Sequence, residues 1–357
     1  MSATDSREPD VPASLESPPG LRIRWLGSAG YEISDDSTTI LVDPFVSRPG
    51  SFQLLHKVGI DTGAVDRYIL SPVQQNRVKV ILISHSHYDH VEDIPYILAH
   101  YPDRENRPLV VGDPNTQAII RGYRAGMGIP WIRKAGGLQD TPMRVLDFPG
   151  DKISYEVGLF GDFTIRAYRS EHPMYDFLPW EGPEGTVTGT PPYTILDYKL
   201  YDTLSIGYLI QHRDFRLFIS ETPLLRHPQK VGPVDILILG IAARKRENTI
   251  PESLAALRPR IVIPTHYDNL FKPLREFHRF DYIIGFPPDF IPRTQKRELL
   301  LVDFSRFPQF LTQFDTYFVP EARGMIGEDT LSFDPRLRLM KLLYYYSLEG
   351  LVSGVKQ

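Results

Sequence analysis

The chain has 357 residues, 42% of them hydrophobic, enough for a sizeable core in one large domain or two ordinary ones. Its formal net charge of −4 and pI near 6.2 provide no global basic field, which excludes nonspecific attraction to nucleic-acid phosphates as its main activity. The absence of cysteine excludes disulfides, thiolate ligands and a cysteine nucleophile, and leaves oxygen and imidazole donors for any metal.

Met1 to Gly20 is rich in Ser, Pro, Asp and Glu, lacks the basic and apolar regions of a signal peptide, and reads as a disordered tail. No apolar run approaches the ~18 residues that cross a bilayer. The longest, Ile236 to Ala243, has the length of a strand, so a soluble, cytoplasmic protein is expected.

Leu21 to Leu26 alternates with period two, Gly27-Ser28-Ala29-Gly30 turns the chain into Tyr31-Glu32-Ile33, and Asp35-Asp36-Ser37 turns it again into Thr38 to Val42. The spacing predicts a β-meander ending at Asp43-Pro44. After an irregular stretch over 45–76, Val78 to Ile83 is a nearly continuous apolar strand of the kind buried on both faces. Ile94 to Tyr101 is expected as a helix, Leu109 to Gly112 as a strand, and Asn115 to Ala125 as a helix with Asn115 as its N-cap.

Short strands return from Met143 to Ala167, among them Phe163 to Tyr168, which leads to Ser170-Glu171-His172-Pro173. Residues from about 174 to 202 form an insertion rich in Pro, Gly, Tyr and Trp, without periodicity; its aromatic content favours a lid. Ser205 to Gln211 and Phe215 to Ile219 flank Arg213-Asp214 as a hairpin running into Ser220-Glu221-Thr222, and Ile236 to Leu239 is another buried strand. Thr249-Ile250-Pro251-Glu252 has capping-box spacing, which predicts a helix from Glu252 to Leu257, followed by a strand from Arg260 to His266. Further on come a strand-like run, Glu298 to Val302, an aromatic-rich linker and a helix from Arg336 to Leu348. The expected organisation is a tail over 1–20, a catalytic domain over 21–296 with the lid-like insertion, and an extension over 297–357 packed on that domain.

Of ten histidines, three fall within the six residues His85-Ser86-His87-Tyr88-Asp89-His90, directly after a strand. Packing does not require that spacing. In an extended segment His85 and His87 project to one side, and Asp89 and His90 follow as the chain enters a turn or helix, so two pairs of donors address two adjacent ions. Neutral imidazoles with a carboxylate suit Zn²⁺, Mn²⁺ or Fe, and such a site lowers the pKa of a bound water to about 7, which makes hydrolysis the natural reaction class.

His85 to His90 resembles the H-x-H-x-D-H signature of the metallo-β-lactamase superfamily. The resemblance extends over roughly residues 21 to 295, through the meander ending at Asp43-Pro44, His172 after a strand, the hairpin ending at Glu221, and Pro264-Thr265-His266-Tyr267-Asp268, in the family's order. It implies an α/β fold, a four-layer αββα sandwich. It further implies one metal on His85, His87 and His172, and a second on Asp89, His90 and His266, with Zn²⁺ placed ahead of Mn²⁺ or Fe. The family's bridging carboxylate usually stands as aspartate in Gly-Asp-Thr, where this chain has Ser220-Glu221-Thr222. Glutamate is one methylene longer. It can bridge if the backbone retreats, bind a single ion, or leave the second site weak. The implied mechanism is attack by a metal-bound hydroxide on a carbonyl or phosphoryl centre, with Asp89 orienting the nucleophile.

Within the superfamily, the short meander, Asp43-Pro44 and the Pro-Thr-His-Tyr-Asp element look most like the branch of ascorbate-6-phosphate lactonase and the phospholipase D that acts on N-acyl phosphatidylethanolamine. An ester, lactone or phosphodiester substrate, small or lipid-like, follows from that likeness, and nucleic acid is not an expected partner. The alternative is a binding or sensing module with a degenerate centre, motivated by Ser220-Glu221. Membrane-surface work is a further reading of Leu337, Leu339, Leu342, Leu343 and Tyr344 to Tyr346, which a core-packing helix explains as well. Tyr267 and Asp268 are candidates for orienting His266. Arg244-Lys245-Arg246 reads as a solvated turn before an anion contact, and Asp43 as the cap of a loop beneath the site. His56, His100, His212, His227 and His278 lack companion motifs and read as surface or packing residues.

Overall fold

The computed structural model describes residues 21–48, 57–73, 75–101, 104–172, 187–198, 204–222, 225–240, 249–259, 261–266 and 316–319. The N-terminal tail, the Arg244-Lys245-Arg246 run, Tyr267-Asp268, the Glu298 to Val302 run and the Arg336 to Leu348 segment lie outside the described residues, as do His56 and His278.

The opening meander forms β1 (Leu21–Gly27), β2 (Gly30–Ser34) and β3 (Thr39–Val42). In β1 the apolar Leu21, Ile23 and Trp25 are buried, and Arg24 on the other face reaches across to Glu32, its registered partner on β2, with Nε 2.6 Å from the carboxylate. The chain then adds β4 (Val78–Leu82), β5 (Leu109–Gly112) and β6 (Met143–Val145), each parallel to its predecessor. The second sheet follows: β7 (Ser154–Phe160), β8 (Phe163–Glu171), β9 (Leu204–His212) and β10 (Phe215–Ser220) pair antiparallel, and β11 (Ile236–Gly240) and β12 (Ile261–Thr265) continue in parallel. β13 (Thr316–Val319) pairs with β1 and completes the first sheet, in the order β13-β1-β2-β3-β4-β5-β6.

The sheets pack face to face. Ile23, Ile33, Ile40, Val80 and Leu82 meet Phe163, Ile165, Tyr208 and Ile210 in one core. The other faces of the same strands, carrying Leu41, Ile81, Ile83 and Val110, are buried in a second core with side chains of α1 (Thr62–Val65), α2 (Tyr88–Val91), α3 (Ile94–Ala99), α4 (Pro114–Gly122) and α5 (Pro130–Ala135). This double burial is why β4, apart from the exposed Lys79, is a continuous apolar run. On the outside of the second sheet lie α6 (Pro228–Val231) and α7 (Thr249–Leu257), with Val231 and Leu257 in the core. The layers are therefore the αββα sandwich.

Two helix starts differ from expectation. Asp113, not Asn115, caps α4: its Oδ1 accepts the Thr116 backbone N–H at 2.6 Å, and Pro114 occupies the first turn, where no N–H is needed. Asn115 is already helical, and its Oδ1 instead accepts the backbone N–H of Val187 at 2.8 Å. The helix α7 begins at Thr249, three residues before Glu252. The described part of the 174–202 insertion is packed: Val58 N–H donates to the Tyr193 carbonyl at 2.8 Å, and the Tyr193 and Tyr198 rings are buried in the second core. No helix among the described residues is long and apolar enough to cross a membrane.

Candidate metal centre

Strand direction determines where the site forms. β1, β3 and β4 run one way in the first sheet, and β8, β10, β11 and β12 share one direction in the second, so their C-terminal ends supply the loops at one rim of each sheet. The rims are joined by backbone bonds from Ile206 N–H to the Ser84 carbonyl (2.8 Å) and from His266 N–H to the Ser28 carbonyl (3.1 Å).

At the end of β4 the chain stays extended through His85 and His87, and His87 is the N-cap of the one-turn helix α2, which carries Asp89 and His90. The end of β8 leads to His172, that of β10 to Glu221 and that of β12 to His266, which takes a left-handed φ of 59°. All seven predicted side chains come together. The His85 ring centroid lies 4.2 Å from that of His87, 4.0 Å from His90 and 4.6 Å from His172. Donor atoms of His85, His87 and His172 all lie within 4.8 Å of one another, as do those of Asp89, His90 and His266. Glu221 groups with His85 and His90, one histidine from each set.

Neighbouring residues hold these side chains in place. Asp89 Oδ2 sits 3.2 Å from His266 Nε2 and accepts the Ser28 hydroxyl at 3.3 Å. Glu221 accepts the Ser205 hydroxyl at 3.3 Å, and its Oε1 is 3.6 Å from His85 Nδ1. Asp43 does more than cap a loop. Its carboxylate accepts the Ser84 backbone N–H (2.8 Å) and hydroxyl (2.6 Å), and its Oδ2 lies 3.0 Å from His90 Nδ1. A carboxylate on one ring nitrogen turns the other, Nε2, toward the centre. Ser84, Ser205 and Ser28 carry no motif of their own. The one available signal was that each adjoins a strand end facing the signature.

Electrostatics divide the histidines. Burial, reinforced by the surrounding imidazoles, holds His85 and His172 well below the ordinary histidine range and therefore neutral. At His90 burial opposes the charge, but Asp89 and Asp43 outweigh it and raise the pKa to about 9; Asp89 likewise raises His266 against its burial. Asp89 is held well below the usual carboxylate range because His90 and His266 overcome its burial, whereas burial with help from Asp43 and Asp89 pushes Glu221 up to about 7. The Nε2 atoms of His85 and His90 are buried and make no hydrogen bond among the described residues, that of His90 lying 3.4 Å from Asp89 Oδ2. Buried ring nitrogens gathered with carboxylates, their donor atoms within 4.8 Å of one another in each group, fit a donor set built for cations.

The remaining described histidines stand apart. His212 Nε2 lies 3.2 Å from Asp35, His100 Nδ1 lies 2.8 Å from the Tyr96 carbonyl, and His227 begins α6.

Residues 23–173 match the family model described as the Metallo-beta-lactamase superfamily. That match covers less than half of the chain, and the αββα layering agrees with the fold it implies. The chain is 22% identical over 252 residues to a UPF0173 protein of Pyrococcus furiosus, which covers 69% of this chain and 83% of that protein. It is 23% identical over 258 residues to a UPF0173 metal-dependent hydrolase of Polaromonas sp., covering 69% and 76% respectively. Among solved structures, the metallo-beta-lactamase fold protein YhfI of Bacillus subtilis superposes with a TM-score of 0.44 at 12% identity, over 84% of this chain and 99% of that one.

One glycine is central to the geometry of this candidate metal centre. Gly240, at the end of β11, lies so close to β10 that a Cβ there would land on the Glu221 carbonyl. Gly240→Ala is expected to destabilise the protein by roughly 3 kcal/mol and to displace Glu221. Urea denaturation together with metal counting checks this; an unchanged midpoint and unchanged metal content would refute it.

Proposed function

We propose that the protein is a metal-dependent hydrolase acting on an ester, lactone or phosphodiester. In this reading two divalent cations, zinc ahead of manganese or iron, are held by His85, His87 and His172 and by Asp89, His90 and His266, with Glu221 reaching both sets. The observation that carries the reading is the pair of three-donor groups, each within 4.8 Å, joined by a carboxylate that groups with one histidine of each. Bound cations would acidify a water and polarise the substrate oxygen.

The residues themselves divide the work. His85 and His172 stay neutral and offer lone pairs at physiological pH. Asp89 stays ionised beside His266 and can accept a proton or orient a water. Asp43 and Ser84 hold His90 in register. The substrate classes rest on the likeness of the Pro264-Thr265-His266 element to the lactonase and phospholipase branch, and the names of the UPF0173 relatives support hydrolysis. A degenerate binding module is the weaker reading, because the donor set has no missing member.

The test is reconstitution of chelator-treated protein followed by metal analysis and assay on a generic phosphodiester and a lactone. About two ions per chain with metal-dependent turnover supports the reading; no retained metal and no turnover on either substrate overturns it in favour of the module.

A pH dependence follows. A histidine whose pKa is raised to about 9 keeps its proton below that value, so the proton competes with a cation at His90. Affinity for the cation of the Asp89–His90–His266 set is expected to fall roughly tenfold per pH unit below 9. At pH 7.5 its binding should release about one proton from His90 and a further fraction from His266, whose pKa is also raised, seen as heats that vary with the ionisation enthalpy of the buffer. Buffer-independent heats would contradict the His90 assignment.

A further inference from the structure

On the outer face of the second sheet, away from the metal centre, a cavity of about 180 Å³ is lined by Thr164, Arg166 and Tyr168 of β8, Gln211 of β9, Arg216 of β10 and Lys230 of α6, among others. Thr164, Gln211 and Arg216 form one cross-strand row. Three cations converge there, and no carboxylate lines the space. Arg216 Nη2 donates to the Val231 carbonyl at 2.6 Å, but its Nε is buried without a hydrogen-bond partner among the described residues. Among those residues the side chains of Arg166 and Lys230 make no ion pair, although Glu156 faces Arg166 across the β7–β8 pair. Asp235 accepts the Arg216 backbone N–H at 2.9 Å and lies outside the lining.

Three cations around one cavity repel one another, an entering anion relieves that repulsion, and it supplies the acceptor that the buried Arg216 N–H lacks. Guanidinium groups match the paired oxygens of a tetrahedral oxyanion, and the Thr164 hydroxyl adds a neutral donor. We propose that this cavity is an oxyanion-binding site for inorganic phosphate or the phosphate group of a small ester. His172 stands six positions after Arg166, just beyond the end of β8 and about 20 Å along the extended chain, so the bound anion does not touch the metal centre.

The test is calorimetric titration of the metal-loaded, full-length protein with inorganic phosphate and with glycerol phosphate, at constant ionic strength maintained with chloride. Saturable binding that weakens at least about tenfold in Arg166→Gln and in Lys230→Gln, with hydrolysis and Tm unchanged, supports the proposal. Both positions are exposed, so the test avoids the folding defect that a substitution at the half-buried Arg216 invites. The tighter of the two ligands identifies the source. Because phosphate also binds metal ions, a His87→Ala variant is titrated in parallel and should retain this binding. Binding that is absent, untouched by both substitutions, or lost only with His87→Ala overturns the proposal, and none of these results bears on the hydrolase reading.

Discussion

Replacing His85 with alanine is expected to abolish measurable hydrolysis, with a loss of roughly 10³-fold or more, and to leave at most about one metal ion per chain. His85 is the common member of the centre: its ring lies within 4.6 Å of those of His87, His90 and His172, and it groups with Glu221 as well. Its removal opens the first donor set and detaches Glu221 from its neighbour. The ring is buried and neutral, so alanine leaves a small polar void rather than an unpaired charge, and the fold should survive. Metal analysis and kinetics on the same preparation test this. Full metal content with undiminished turnover would remove the centre from the reaction.

Asp43→Ala is the second large effect. It removes the acceptor of the Ser84 N–H and hydroxyl and the carboxylate beside His90, all within a fully buried environment. Metal affinity should fall by about 10- to 100-fold, the scale on which groups that orient a ligand act. In the metal-free protein below pH 9, the histidinium loses one of its two nearest carboxylates, which is expected to cost about 3–5 kcal/mol. Asp43→Asn preserves the shape and some acceptors and should lie between wild type and alanine. Chelator competition measures the first effect and urea denaturation of the metal-free protein the second. If Asp43 merely caps a loop, stability drops while metal affinity per folded molecule stays constant.

Much of this was legible in the amino-acid order. The apolar runs of β4, β10, β11 and β12 and the alternation of β1 identify strands, because side-chain period and burial are local consequences of the pleat. The six residues from His85 to His90 announce clustered donors because they are contiguous. His172, Glu221 and His266 were legible only as residues at strand ends whose order follows a familiar pattern.

The cap of α4 was not legible. Asp113 and Asn115 are both good caps, and the choice is settled by Pro114 and by Val187, a residue 72 positions away that engages the Asn115 carboxamide. The packing of Tyr193 and Tyr198 was hidden for the same reason: their partners in the second core come from other segments. Asp43 was visible as a turn residue, but its contact with His90 depends on the parallel pairing of β3 with β4.

The sequence by itself determined which residues are candidate donors and that they sit at strand ends, since residue type and periodicity are local. Tertiary structure alone decided that strands of shared direction in two sheets bring those ends to one rim, that Glu221 reaches both groups, and that Arg166, Arg216 and Lys230 converge on the opposite face of the second sheet. Each of these depends on strand register and sheet order, which are set by contacts between residues far apart in the chain.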